Sequence, residues 1–213
     1  ALGSRLLILS IVMAVGPNVD DAAIASKAGA EAVAAYAIPA RLGSILGLII
    51  INLSMPLWGA NSDAMARGDY EWVRRGARRM SLLGVAIVSL AGIALIVAAG
   101  QIMNLWVGRS FQDQTLTLGF VIAGAAIVAA TSPYNMLLNA LARPDLQILP
   151  WACFVVISVP AKFLLVTPER LWIAAAATAL VYMLTITPAI MMRARRELAR
   201  EATLNRETTK VSV

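Results

Sequence analysis

The chain has 213 residues, 60% of them hydrophobic and 14% charged, with a formal net charge of +6, no His and one Cys. A soluble domain rarely reaches that balance, so the composition reads as an integral membrane protein. It excludes an intrachain disulfide, Cys- or His-based metal sites, a Ser-His-Asp triad and a His proton relay, and leaves buried ion chemistry to Asp, Glu, Lys and Arg.

The chain begins Ala-Leu-Gly-Ser without an initiator Met, and no small-residue cleavage pattern follows its first apolar run. The expectation is a fragment of a longer protein, not a signal peptide. About twenty apolar residues cross a ~30 Å hydrocarbon core at ~1.5 Å per residue. Six stretches satisfy this: 6–27, 31–61, 73–106, 116–141, 146–166 and 171–193. The second and third exceed the bilayer, so their cytoplasmic ends should project or tilt.

Between them, the polar stretch 56–79 reads as a helix–loop–helix junction. Gly68 suits a left-handed cap, Asp69 can cap the next helix, and Glu71 faces its dipole. Arg74, Arg75, Arg78 and Arg79 then line one side of a helix entering the membrane, where anionic lipid would hold them. As a composition alone, the same cluster is a topogenic signal. Prolines at 39, 56, 133, 150, 160 and 188 interrupt the spans and need neighbours to satisfy the carbonyls they free. Gly43, Gly47, Gly84, Gly92, Gly119, Gly124 and the run 174–177 should let helices approach closely.

Sorting the positive charges orients the chain. One side collects Arg5, the cluster from Arg67 to Arg79, Arg143 and the tail from Arg193, whereas the other collects Lys27, Arg109 and Arg170. Both ends are therefore expected on the cytoplasmic side. Trp58, Trp106, Trp151 and Trp172 fall near the expected interfaces. The positives lie between apolar spans and not on one soluble surface, which argues against nucleic acid as a partner. After Met192 the basic segment is expected to continue as a helix that lies on the anionic surface and then frays, giving a transmembrane unit over 1–195 and a cytoplasmic tail over 196–213.

The chain resembles the carboxy-terminal half of the polysaccharide flippases that move lipid-linked (O-antigen type) oligosaccharide. These belong to the multidrug/oligosaccharidyl-lipid/polysaccharide exporter superfamily, which also holds the multidrug and toxic compound extrusion transporters. The resemblance rests on the order and spacing of motifs over residues 6–195: the polar patch Asn18, Asp20 and Asp21; AGAEAVAAYAIPARL over 28–42; MPLWGANSDAMARGDYEWVRR over 55–75; LWVGRSF over 105–111; and SPYNMLLNALARPDLQ over 132–147.

It implies an all-α polytopic protein of the bacterial cytoplasmic (inner) membrane. Six transmembrane helices would form one lobe of a two-lobe carrier of twelve or more helices, with a central cavity that opens alternately to either side. The implied partners are the bilayer, a polyprenyl-diphosphate-linked glycan and an amino-terminal six-helix lobe. The implied activity is export for polysaccharide or lipopolysaccharide biosynthesis, without enzymatic chemistry or a cofactor. The alternative within the superfamily is a multidrug/cation antiporter, for which an acidic, aromatic-lined cavity would suit organic cations. A membrane-embedded glycan ligase or polymerase generally needs a sizeable outer loop, and Arg109, Asp113, Glu169 and Arg170 are a poor catalytic set. A structural scaffold would leave Arg41 without a purpose. No nucleotide-binding loop is present in the sequence, so energy would come from an ion gradient or the membrane potential.

Arg41 lies ~15 Å into the second span, where a permanent charge is costly unless it meets water, a partner or an anion. For a flippase the anion is the substrate diphosphate, held bidentately. The other readings are an ion pair with the second lobe and snorkelling. Asp20 and Asp21 are candidates for ion coupling, set against a place in the outer headgroup region. Lys162, near the loop over 167–170, is expected to snorkel. Asn135 and Asn139 share a helix face after Pro133 and are candidates to bind sugar hydroxyls, to satisfy the carbonyl the proline frees, or to bond between helices.

Overall fold

The computed structural model describes residues 2–106 and 114–211. Among these every regular element is a helix: α1 (Leu2–Asn18), α2 (Asp20–Ser54), α3 (Pro56–Ala66), α4 (Tyr70–Trp106), α5 (Thr115–Ala140), α6 (Asp145–Leu165) and α7 (Trp172–Val211). Five stretches are long and apolar enough to cross a membrane: Leu7–Ala66, Tyr70–Gln101, Thr115–Ala140, Asp145–Leu165 and Trp172–Asn205. Leu90, Val97, Leu164 and Leu184 are each at least 70% exposed on these helices. Such outward apolar faces fit a bilayer, where lipid takes the place of a protein neighbour.

The first stretch is not straight. Gly29 has φ 80° and ψ 178°, a backbone conformation that an L side chain resists. The Tyr36 hydroxyl donates to Asp20 Oδ2 at 2.7 Å. A straight helix would hold two residues so spaced ~24 Å apart at ~1.5 Å per residue, so the chain doubles back at Gly29. Pro56 has the opposite effect. Met55 keeps helical angles of φ −58° and ψ −42°, and its N–H is shared between the carbonyls of Ile51 and Asn52 at 3.2 and 3.3 Å. The carbonyl the proline would strand is thereby satisfied, and the helix runs on into α3 instead of turning.

The α3–α4 junction has the expected caps. Gly68 sits at φ 78°, its N–H reaches Met65 O, and the Asp69 N–H reaches Ala64 O, both at 2.9 Å. This double bond pattern closes the helix end and turns the chain. Asp69 Oδ1 then accepts the Trp72 N–H at 3.0 Å and caps α4.

α5 is the hub, packed against α2, α4 and α7. Glycines make the contact possible: a Cβ on Gly43 would stand 2.6 Å from Val121 Cγ1 and 2.9 Å from its Cβ, and one on Gly92 would stand 2.2 Å from Ile122 Cγ2. Gly47 and Gly84 face Ala125 and Ala129, and Gly124 faces Ala179. Gly119 departs from the expectation, because nothing crowds it within 4 Å. Val121 cannot rotate its own Cβ aside, so Gly43→Ala is expected to push α2 from α5 and cost about 1–3 kcal/mol. A thermal melt of the purified protein in detergent reads this directly, with Gly119→Ala as the near-neutral comparison.

One expectation fails on packing. Trp151 is not an interfacial anchor: it is 6% exposed and meets Phe154 and Tyr182 edge-on at 5.6 and 5.5 Å. The helix expected to continue past Met192 does so. α7 continues unbroken, and Ile186, Ile190, Ala194 and Leu198 form one buried stripe at four-residue spacing against the core. Arg143 from the α5–α6 connection reaches Glu197 at 3.2 Å, and Arg193 donates to the Leu146 carbonyl. The start of the tail is thus a brace across the ends of α5 and α6. Leu198→Ala should lose about 2–3 kcal/mol of stability, as for other buried leucines, whereas exposed Leu204→Ala should fall within ~0.5 kcal/mol; paired melts would test this.

Candidate functional site

The polar groups of the spans fall into three sets. The first lies where the α2 hairpin meets the end of α6. Asp20 opens α2 and points inward, with its side chain 15% exposed, while Asp21, about 100° further round the helix, is exposed to the outside. Lys162, in the last turn of α6, is 0% exposed and its Nζ stands 2.5 Å from Asp20 Oδ1. Oδ1 thus faces the ammonium, while Oδ2 takes the Tyr36 hydroxyl.

Lys162 therefore does not snorkel. Its stem and head are both enclosed, and Asp20 supplies the opposite charge that a buried ammonium needs. Asp20 and Asp21 do not act as one pair: the first is committed to the interior, and the second remains outside. Tyr36 entered the sequence reading only as part of the motif over 28–42, with no contact or role assigned to it. The available signal was an aromatic hydroxyl seven residues beyond Gly29, matching the depth of Asp20 across the hairpin.

The second set is a stripe on α2 after the reversal. Arg41, Ser44, Leu48 and Asn52 are all exposed and lie within about 80° of one another around the helix. Ser44 Oγ donates to Arg41 O at 3.0 Å, and Asn52 Nδ2 donates to Leu48 O at 2.9 Å, so both use part of their polarity on their own helix. Among the described residues Arg41 has no ion-pair partner. Its guanidinium is available to whatever meets this face.

The third set surrounds Pro133 on α5. Asn135 is 9% exposed, and its buried Oδ1 takes no hydrogen bond among the described residues. Asn139 Oδ1 accepts Gln147 Nε2 at 2.8 Å. Ser81 on α4 donates to the Ala130 carbonyl at 2.8 Å, one residue after Ala129, whose carbonyl is the one Pro133 leaves without a helical N–H. The Asn139 bond thus runs between α5 and α6. Of the LWVGRSF motif, residues 107–111 lie outside the described residues, as does the side chain of Asn18.

At the start of α4, Glu71 holds Arg74 at 2.9 Å and Arg75 at 3.6 Å, which keeps those guanidinium groups near one another. Arg195 lies over the Tyr134 ring at 5.5 Å and donates to its hydroxyl at 3.3 Å. The chain matches no protein family, no curated protein and no solved structure.

Proposed function

We propose that this chain is a six-pass lobe of an alternating-access flippase for lipid-linked oligosaccharide in a bacterial inner membrane, with both ends cytoplasmic. The 60 residues of Leu7–Ala66 would be ~90 Å long as one helix, and division at Gly29 turns them into two passes. With α4, α5, α6 and α7 that makes six. The observation that carries the reading is Arg41, exposed at mid-span without a partner among the described residues and on one face with Ser44 and Asn52. A guanidinium at that depth facing hydrocarbon is costly, which favours a polar cavity completed by a second lobe. A polyprenyl diphosphate has the charge and geometry a guanidinium holds best.

The test is the leaflet distribution of lipid-linked oligosaccharide in cells that lack the intact gene. Accumulation on the cytoplasmic leaflet is the expected result. No accumulation, together with new sensitivity to cationic dyes, would replace this reading by the multidrug antiporter.

A further inference from the structure

The Asp20–Lys162 contact joins three passes of the proposed lobe: Asp20 before the reversal at Gly29, Tyr36 after it, and Lys162 at the end of α6. Apolar packing lies around it, with Ile24, Val166 and Ala174 all at or below 2% exposure. A buried ion pair generally gives little stability over apolar residues of the same volume. What it does impose is occupancy, because a carboxylate in such surroundings must be neutralised by something.

We infer that Asp20 and Tyr36 form a buried site for an ammonium-type monovalent cation, and that the Lys162 side chain is its tethered occupant. The carboxylate supplies the charge, the Tyr36 hydroxyl fixes the carboxylate's orientation, and the α6 backbone delivers the cation. In this arrangement Asp20 is closed to a diffusing ion. That last consequence for coupling rests on the transport reading, whereas the site itself does not.

Chemical rescue tests it without any transport assay. Lys162→Ala removes a fragment equivalent to n-propylammonium and leaves the other groups in place. In the complete protein in detergent, n-propylammonium is expected to raise the melting temperature of Lys162→Ala by at least ~3 °C over an equal concentration of tetramethylammonium, which lacks N–H donors. Wild type and Asp20→Asn/Lys162→Ala should show no such difference. Equal effects of the two cations on Lys162→Ala, or the same gain in the double variant, would overturn the inference. Should Lys162→Ala fail to fold, Lys162→Asp is compared with the exchange Asp20→Lys/Lys162→Asp. Recovery of monodisperse protein in the exchange supports the site, and equal loss in both removes it.

Discussion

Asp20→Asn is expected to be among the most destabilising single substitutions in the chain, at roughly 3–5 kcal/mol. The amide is nearly isosteric and still accepts the Tyr36 hydroxyl, so packing and one hydrogen bond survive. What is lost is the charge opposite an ammonium that is 0% exposed. The penalty is that of a buried cation without its counter-charge, not that of a missing contact. Removing the second charge as well, in Asp20→Asn/Lys162→Met, should bring stability back to within about 1 kcal/mol of wild type. Melting curves of the three proteins in one detergent decide the matter. A double variant at the sum of its single losses would mean that the two side chains act independently.

On the proposed flippase reading, Arg41 should behave in the opposite way, with a large effect on transport and little on stability. Its side chain is exposed and has no ion-pair partner among the described residues, so Arg41→Ala should change the melting temperature by no more than a surface substitution does, about 0.5 kcal/mol. Translocation of lipid-linked oligosaccharide by the complete protein should fall at least ~10-fold, the loss of one charge-assisted hydrogen bond to a phosphate. Arg41→Lys keeps the charge but loses the planar fork and should fall between. Unchanged translocation in Arg41→Ala would take this residue out of the substrate path. A loss of stability comparable with that of Asp20→Asn would make it a structural residue.

Local features were legible in the sequence because their causes are local. The α3–α4 junction is written in Gly68 and Asp69, each of which needs only its own few neighbours to form a cap. The gap between 27 and 31 marked a boundary, and Gly29 supplies its physical reason. The glycines against α5 were legible as close-approach residues, but which helix each would meet was not. Lys162 was misread because snorkelling depends on distance to the membrane edge, whereas burial depends on a carboxylate far away in the chain. The bracing part of α7 was hidden by its charge. Its apolar signal is the sparse stripe through Ile190, Ala194 and Leu198, which a reading of average polarity passes over.

The separation of Asp20 and Lys162 in the sequence also sets an order of events during synthesis. At ~5–20 residues per second, the ribosome reaches Lys162 roughly 7–28 s after Asp20. If insertion keeps pace with synthesis, the helical hairpin turning at Gly29 arrives first. Tyr36 can then meet the carboxylate at once, but its charge waits for α6. The early hairpin is consequently a provisional guest of the bilayer or of the insertion machinery, and the arrival of α6 is the step that makes its position permanent.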